Sequence, residues 1–316
     1  MKKILFPILI LAAALSLSAQ DFSIARFKGD RKAAVSFTFD DGYLDQYTLA
    51  VPELERRGWR GTFWIVPTRI DHWGVKPLMS WEQIKELSDK GHEMSNHGLT
   101  HAHITQIPSE EVPHEIHDAD TILAAHTGKF PITYCFAYGD CNPDIIKMAA
   151  ENRVGIRFNQ KTLGGSNTCT SLTGDLKKAI DDGEWLITMT HAMLDGYDQF
   201  EKIEDFTEFL DIVKKYETDL WIDTFENIAS YTELQKATSL SVRKKSETTF
   251  VITPSCSLDQ EIFKLTLTFR VDRKPSDSVK IKQGGKMLET RKVKNRWMAE
   301  INPFNGPITV KYIQSL

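Results

Sequence analysis

Short apolar runs alternate with stretches of helical period from Ala33 to Gln235, and this alternation limits the fold more than any other feature. The runs are Ala33 to Phe39, Thr62 to Val66, Glu93 to Asn96, Ile132 to Phe136, Val154 to Phe158, Trp185 to Thr190 and Leu220 to Thr224. Helices are expected over Asp45 to Arg57, Trp81 to Lys90, Glu110 to His126, from Pro143 onward, and over Leu176 to Ile180, Phe206 to Tyr216 and Phe225 to Gln235. Ser80 with Gln83 forms a capping-box pair, Pro143 takes a first helical position, and Gly91 and Gly183 are stops. Lys161 to Gly174, rich in Gly, Ser, Thr and Asn, reads as a loop. Strands alternating with helices predict a parallel sheet, and about seven of them suit an α/β fold of the (β/α) barrel kind. In such barrels the chemistry sits in loops after the strands. Asp40, Asp41, His97, Tyr138 and His191 each follow an apolar run, so one rim is expected to gather them.

The first run ends in Thr38-Phe39-Asp40-Asp41-Gly42. Adjacent carboxylates repel unless a cation or hydrogen bonds compensate, although Asp and Gly are also ordinary turn residues. Further on stand Asn96-His97-Gly98-Leu99-Thr100-His101, Ala137-Tyr138-Gly139 and Thr190-His191. Asp and two His make good ligands for a divalent metal such as zinc and leave a position open. Asp40, next to Asp41 on an extended chain, should point away and stay free to act as a base. The unperturbed pKa of His, about 6.5, suits His191 to proton transfer near neutrality.

Together these motifs resemble the polysaccharide deacetylases, the NodB-like carbohydrate esterases of family four, over Lys32 to Tyr231. T-F-D-D-G is unchanged; the family's H-[ST]-x-x-H has Gly98 in place of Ser or Thr. The resemblance implies a distorted (β/α) barrel and hydrolysis of an acetyl group, amide or ester, on a sugar of an acetylated polysaccharide or oligosaccharide. It implies Asp41, His97 and His101 as ligands of a divalent metal, zinc first with cobalt or nickel as alternatives. It makes Asp40 the base, His191 the acid that protonates the leaving group, and the Tyr138 backbone N–H the oxyanion donor. The family's third motif, R-x-P-Y-G, is degraded: its Arg falls on Cys135 and its Pro on Ala137. A thiol cannot replace a permanent cation. Arg153 and Arg157 are the candidates to pair with Asp40 instead, Arg157 the better because it lies within a strand run.

Lys2 and Lys3, the apolar run Ile4 to Leu17 and Ser18-Ala19-Gln20 read as an export signal over residues 1–20, implying a periplasmic or extracellular protein with no lasting membrane span. The barrel is expected over 21–236. After Lys236, alternation at Phe263 to Val271 and Ile308 to Tyr312, with Gly284-Gly285 between short runs, predicts a small immunoglobulin-like β-sandwich over 237–316. Its lysines are scattered between apolar residues, unlike a nucleic-acid patch. The four cysteines contain no C-x-x-C, which argues against a cysteine zinc site. Trp73, Trp81, Tyr43 and Trp221 are aromatic candidates for sugar contact. A second class of function is an exported carbohydrate-binding protein whose barrel has lost catalysis, favoured by the degraded third motif. Intact Asp40 and His191 argue against it.

Overall fold

The computed structural model describes residues 21–70, 76–272 and 278–313. The expected export signal and Trp73 lie outside them. The chain forms two units, Arg31–Ser230 with 261–263, and a smaller one comprising the flanking segments.

The first strand, β1 (Phe22–Ile24), belongs to the smaller unit. The larger unit contains β2 (Ala33–Asp40), α1 (Val51–Arg56), β3 (Thr62–Ile65), α2 (Trp81–Asp89), β4 (Glu93–Asn96) and α3 (Val112–Thr127). There follow β5 (Thr133–Cys135), α4 (Pro143–Ala149), β6 (Gly155–Arg157), β7 (Lys161–Thr162), α5 (Cys169–Asp182), β8 (Trp185–Thr190), α6 (Ile203–Lys215), β9 (Leu220–Ile222) and the first part of α7 (Phe225–Ala237), whose residues from Tyr231 on fall in the smaller unit. The strands form one curled parallel sheet in the order β6-β5-β4-β3-β2-β8-β7, with β9 joined to the start of β2. This is the expected distorted barrel, left open between β6 and β7.

Alternation along β2 sorts its side chains between two faces. Ala33, Val35, Phe37 and Phe39 join the apolar core with helix residues such as Leu54, Leu176 and Phe206. Ser36, Thr38 and Asp40 take the opposite face. There Thr38 Oγ1 donates to the Thr188 carbonyl at 2.6 Å and Trp185 Nε1 to Ser36 Oγ at 3.0 Å. Along β2 this polar face ends at Asp40, on the rim where the acids and histidines gather.

One expectation needs correction. Within Lys161 to Gly174, residues 161–162 form a strand and the helix α5 begins at Cys169. Thr168 caps it, its side chain accepting from the Ser171 amide while Ser171 bonds back. The small polar residues thus start a helix rather than prolong a loop.

Glu93, at the start of β4, is buried and bound by the Thr62 hydroxyl (2.7 Å), the Glu226 amide (2.8 Å) and the Thr133 hydroxyl. Burial, with Glu226 nearby, pushes its carboxyl up to about 8. The folded carboxyl therefore keeps its proton where the unfolded one, at about 4.3, has lost it. The stability this contributes is full below the unfolded pKa and falls as pH rises towards 8. Glu93→Gln should flatten that fall: parent stability should drop by roughly 2 kcal/mol between pH 5 and 7 in urea titrations, and the variant by much less.

The smaller unit holds two antiparallel sheets. One joins β1 to Leu267–Val271, Arg296–Ile301 and Arg291–Val293; the other joins Thr238–Lys244, Thr249–Cys256, Ile308–Ile313, Ser278–Gln283 and Lys286–Met287. Phe22 packs on Phe250 and Phe269 with centroids 5.3 and 6.0 Å apart. All four cysteines are free thiols.

Candidate active site

At the C-terminal end of β2 the backbone turns into the left-handed region twice, at Asp41 (φ +72°) and Gly42 (φ +75°). Gly42 is required there: a Cβ would stand 3.1 Å from Ile65 Cδ1, on a φ that disfavours side chains. The turn reverses what strand geometry predicts for neighbouring side chains. Asp40 and Asp41 do not point apart; both line one cavity of about 670 Å³ with His97, His101, Tyr138 and His191.

His97 follows β4, and its Nδ1 faces the Cys135 carbonyl at 2.8 Å. Donation there leaves Nε2 as the free lone pair, 3.8 Å from Asp41 Oδ1. His101 Nε2 lies 3.2 Å from the same oxygen. Asp41 Oδ1 is buried without a hydrogen-bond donor of good geometry among the described residues. Burial would push the Asp41 carboxyl up, but His101 and His97 outweigh it and hold it down at about 2. An anionic oxygen and two imidazole nitrogens within 4.8 Å of one another fit a divalent cation. Asp40, His97 and Cys135 meet the same distance limit. That second group fits less well, because burial pushes the Cys135 thiol up to about 12 and Asp40 is already engaged.

Arg157 engages it. Its Nη1 and Nη2 donate to Asp40 Oδ1 and Oδ2 at 2.6 and 2.5 Å, and Nη1 also reaches Thr38 Oγ1 at 2.7 Å. Both partners are almost wholly buried. Burial alone would raise the Asp40 carboxyl; the guanidinium outweighs it and holds the group below the ordinary carboxylate range. Cys135 and Arg157 are direct register partners on β5 and β6. The cation has moved one strand sideways, and the small thiol leaves it room. Arg153, the other candidate, pairs with Asp120 at 2.5 Å instead.

His191 follows β8, with Nε2 4.0 Å from Asp40 Oδ2 and Nδ1 3.8 Å from Asp198 Oδ2. Sequence reasoning missed Asp198, and it missed the two residues that hold this rim together. Gln46 Nε2 donates to the carbonyls of Asp40 (2.6 Å) and His191, tying the end of β2 to the end of β8. Asp45 Oδ2 accepts from the amides of Met193 and Leu194 at 2.8 and 2.9 Å. Both sit at the start of a helical segment, where a polar residue carries no distinguishing signal.

Tyr138 reaches the site, its ring stacked on His103 (4.0 Å) and edge-on to His101 (4.6 Å). Trp221 does not. It pairs with Ala34 at the opposite end of β2, about 20 Å from Asp40 by strand rise, and its Nε1 bonds Asp223. Tyr43 is buried, and Trp81 stacks on His126 at 3.8 Å. The exposed aromatics lie elsewhere. Four aromatic side chains are more than half exposed among the described residues, and three of them, Tyr138, Phe158 and Tyr197, line the cavity.

A curled parallel sheet thus carries acids, histidines and a buried arginine on its C-terminal rim, around a cluster that fits a cation. Residues 28–157 match the polysaccharide deacetylase family. The chain is 25% identical over 122 residues to YxkH of Bacillus subtilis, named provisionally as a polysaccharide deacetylase; the match covers 39% of this chain and 43% of that protein. It is 20% identical over 291 residues to a gellan lyase of a Bacillus species, covering 79% of this chain and 11% of the lyase. The chain thus spans less than half the length of either relative. A solved Mycobacterium smegmatis structure, also provisionally named a polysaccharide deacetylase, superposes with a TM-score of 0.54 at 17% identity, covering 71% of this chain and 98% of that one. Among the described residues no helix is long and apolar enough to cross a membrane.

Proposed function

We propose that this protein is an exported, metal-dependent hydrolase that removes acetyl groups, N- or O-linked, from a carbohydrate polymer. The observation that carries the reading is Asp40. It is a carboxylate kept ionised by Arg157, facing His191 across the same cavity as a separate Asp41–His97–His101 cluster. Asp41, His97 and His101 would hold the cation, which when bound supplies Lewis acidity and acidifies water.

The chain's own residues supply the proton transfers. Asp40 accepts the proton of the attacking water, and Arg157 keeps it available by holding the carboxylate ionised. His191 protonates the departing amine or alcohol, with Asp198 facing its second nitrogen. The Tyr138 backbone N–H would serve as the oxyanion donor. Tyr138, Phe158 and Tyr197 offer apolar faces for sugar rings. With Arg157 in place of the missing motif arginine, the degraded third motif no longer favours a binding-only barrel. The lysine-led apolar leader supports export.

The test is acetate release from chitin oligomers, peptidoglycan and acetylated xylan, with chelator and with zinc, cobalt or nickel added back. Release from one substrate that chelation abolishes and metal restores is expected; full release by metal-free protein would sink the assignment. Tyr197→Ala should raise KM about 2–10-fold with kcat nearly unchanged, the size of one lost ring contact. An unchanged KM would remove Tyr197 from the binding surface.

A further inference from the structure

We propose that Glu115, on α3, is the positioning residue that holds the His97–His101 loop in its metal-accepting form. This rests on the reading of Asp41, His97 and His101 as a cation site. The loop needs holding, because it enters the left-handed region at Gly98 (φ +84°) and again at His101 (φ +63°), where an L side chain is disfavoured.

Glu115 is 5% exposed, and its carboxylate faces the loop. Oε1 accepts from the amides of Thr100 (2.9 Å) and Ala102 (3.4 Å), and Oε2 from the Thr100 hydroxyl (2.9 Å). Its own carbonyl accepts from the Leu99 amide at 2.9 Å. Residues 99, 100 and 102 are therefore fixed by one side chain and its backbone. No Lys or Arg pairs with Glu115 among the described residues, so the loop donors themselves compensate the buried carboxylate. The upstream end of the loop is tied to the same helix: Asn96 Nδ2 donates to Asp120 Oδ1 at 2.6 Å, and Asn96 Oδ1 accepts from the Gly98 amide at 2.7 Å.

Gly98 is the complement of Glu115. A Cβ at position 98 would stand 2.7 Å from Glu115 Oε1. The Ser or Thr usual at this place in the resembling motif cannot coexist with the carboxylate where it lies. The departure at position 98 and the buried acid at position 115 are thus one feature, with support for the loop coming from α3 rather than from a side chain inside the motif.

The experiment is zinc titration of the metal-free full-length protein by calorimetry against a competing chelator, with melting temperatures of the metal-free variants. Residues acting one step behind the ligands typically shift metal affinity about 10–100-fold. Glu115→Ala should weaken zinc binding by that factor and also lower the zinc-free melting point, since it orphans the Thr100 and Ala102 donors. Glu115→Gln, which keeps an acceptor for the Thr100 amide, should recover most of the affinity. Gly98→Ser should weaken binding as well, and Gly98→Ser/Glu115→Asp, with the carboxylate drawn back, should recover the part due to the clash, while the strain of a side chain at the left-handed φ of position 98 remains. Should Glu115→Ala not fold, the Gly98→Ser pair decides. Parental zinc affinity in Glu115→Ala or in Gly98→Ser overturns the proposal, provided Asp41→Ala has lost zinc. If Asp41→Ala also binds zinc like the parent, the cation site itself is wrong.

Discussion

Asp41→Ala, His97→Ala and His101→Ala should each lose the bound metal and all measurable turnover, whereas Asp40→Asn should keep the metal and lose about 10²–10⁴-fold in kcat. The two aspartates are neighbours in one cavity, so their roles cannot be separated by position. They are separated by what already occupies their oxygens. Both oxygens of Asp40 are taken by Arg157, while Asp41 Oδ1 is buried with only imidazole nitrogens beside it. A cation therefore finds a vacant anionic donor in Asp41 and a spoken-for one in Asp40. Metal content of dialysed protein, measured beside kcat on one soluble acetylated substrate, checks both halves. Metal lost from Asp40→Asn but retained by Asp41→Asn would reverse the assignment.

The barrel was legible because short apolar runs alternate with stretches of helical period from Ala33 to Gln235; within β2 itself, Val35, Phe37 and Phe39 join the core while Ser36, Thr38 and Asp40 take the other face. The rim residues were legible because each follows a strand. The same strand logic misled at Asp41, whose left-handed φ swings it back towards Asp40. Local pattern does not encode such a turn; only the glycine that follows hints at it. Trp221 misled differently. An apolar residue on a strand gives no sign of which end of the barrel it occupies, and β9 pairs with the start of β2. Gln46, Asp198 and Glu115 act through long-range contacts that no spacing announces. The segment before the barrel shows the same limit, since Phe22–Ile24 pairs with Leu267–Val271 about 250 residues away. A truncation at Lys236 would strip that strand of its partner, so it tests the smaller unit's integrity as much as its role.

Arg157→Ala should be the most damaging single change outside the cation ligands. Removing one member of a buried ion pair leaves the other charge uncompensated, which typically destabilises by about 3–5 kcal/mol. Asp40 escapes part of that penalty by taking up a proton, and the sign of the kinetic effect follows. In the parent, the folded carboxyl lies below its unfolded value, so the stability it contributes is present above that value and lost as pH falls through the folded one. Without the guanidinium, desolvation is the largest influence left and drives the Asp40 pKa upward. The base is active only when ionised, so the acid limb of the kcat/KM profile should move to higher pH. Cys135→Ala should leave that limb nearly in place, because its thiol is protonated throughout the working range. Since Cys135 and Arg157 face each other across the β5–β6 ladder, Cys135→Arg combined with Arg157→Ala should return the cation to the neighbouring strand and shift the limb back towards the parent. The measurement is the pH–rate profile of the three variants beside the parent, each with its urea midpoint. A parental acid limb in Arg157→Ala, with a displaced one in Cys135→Ala, would mean that the thiol and not the guanidinium sets the state of Asp40.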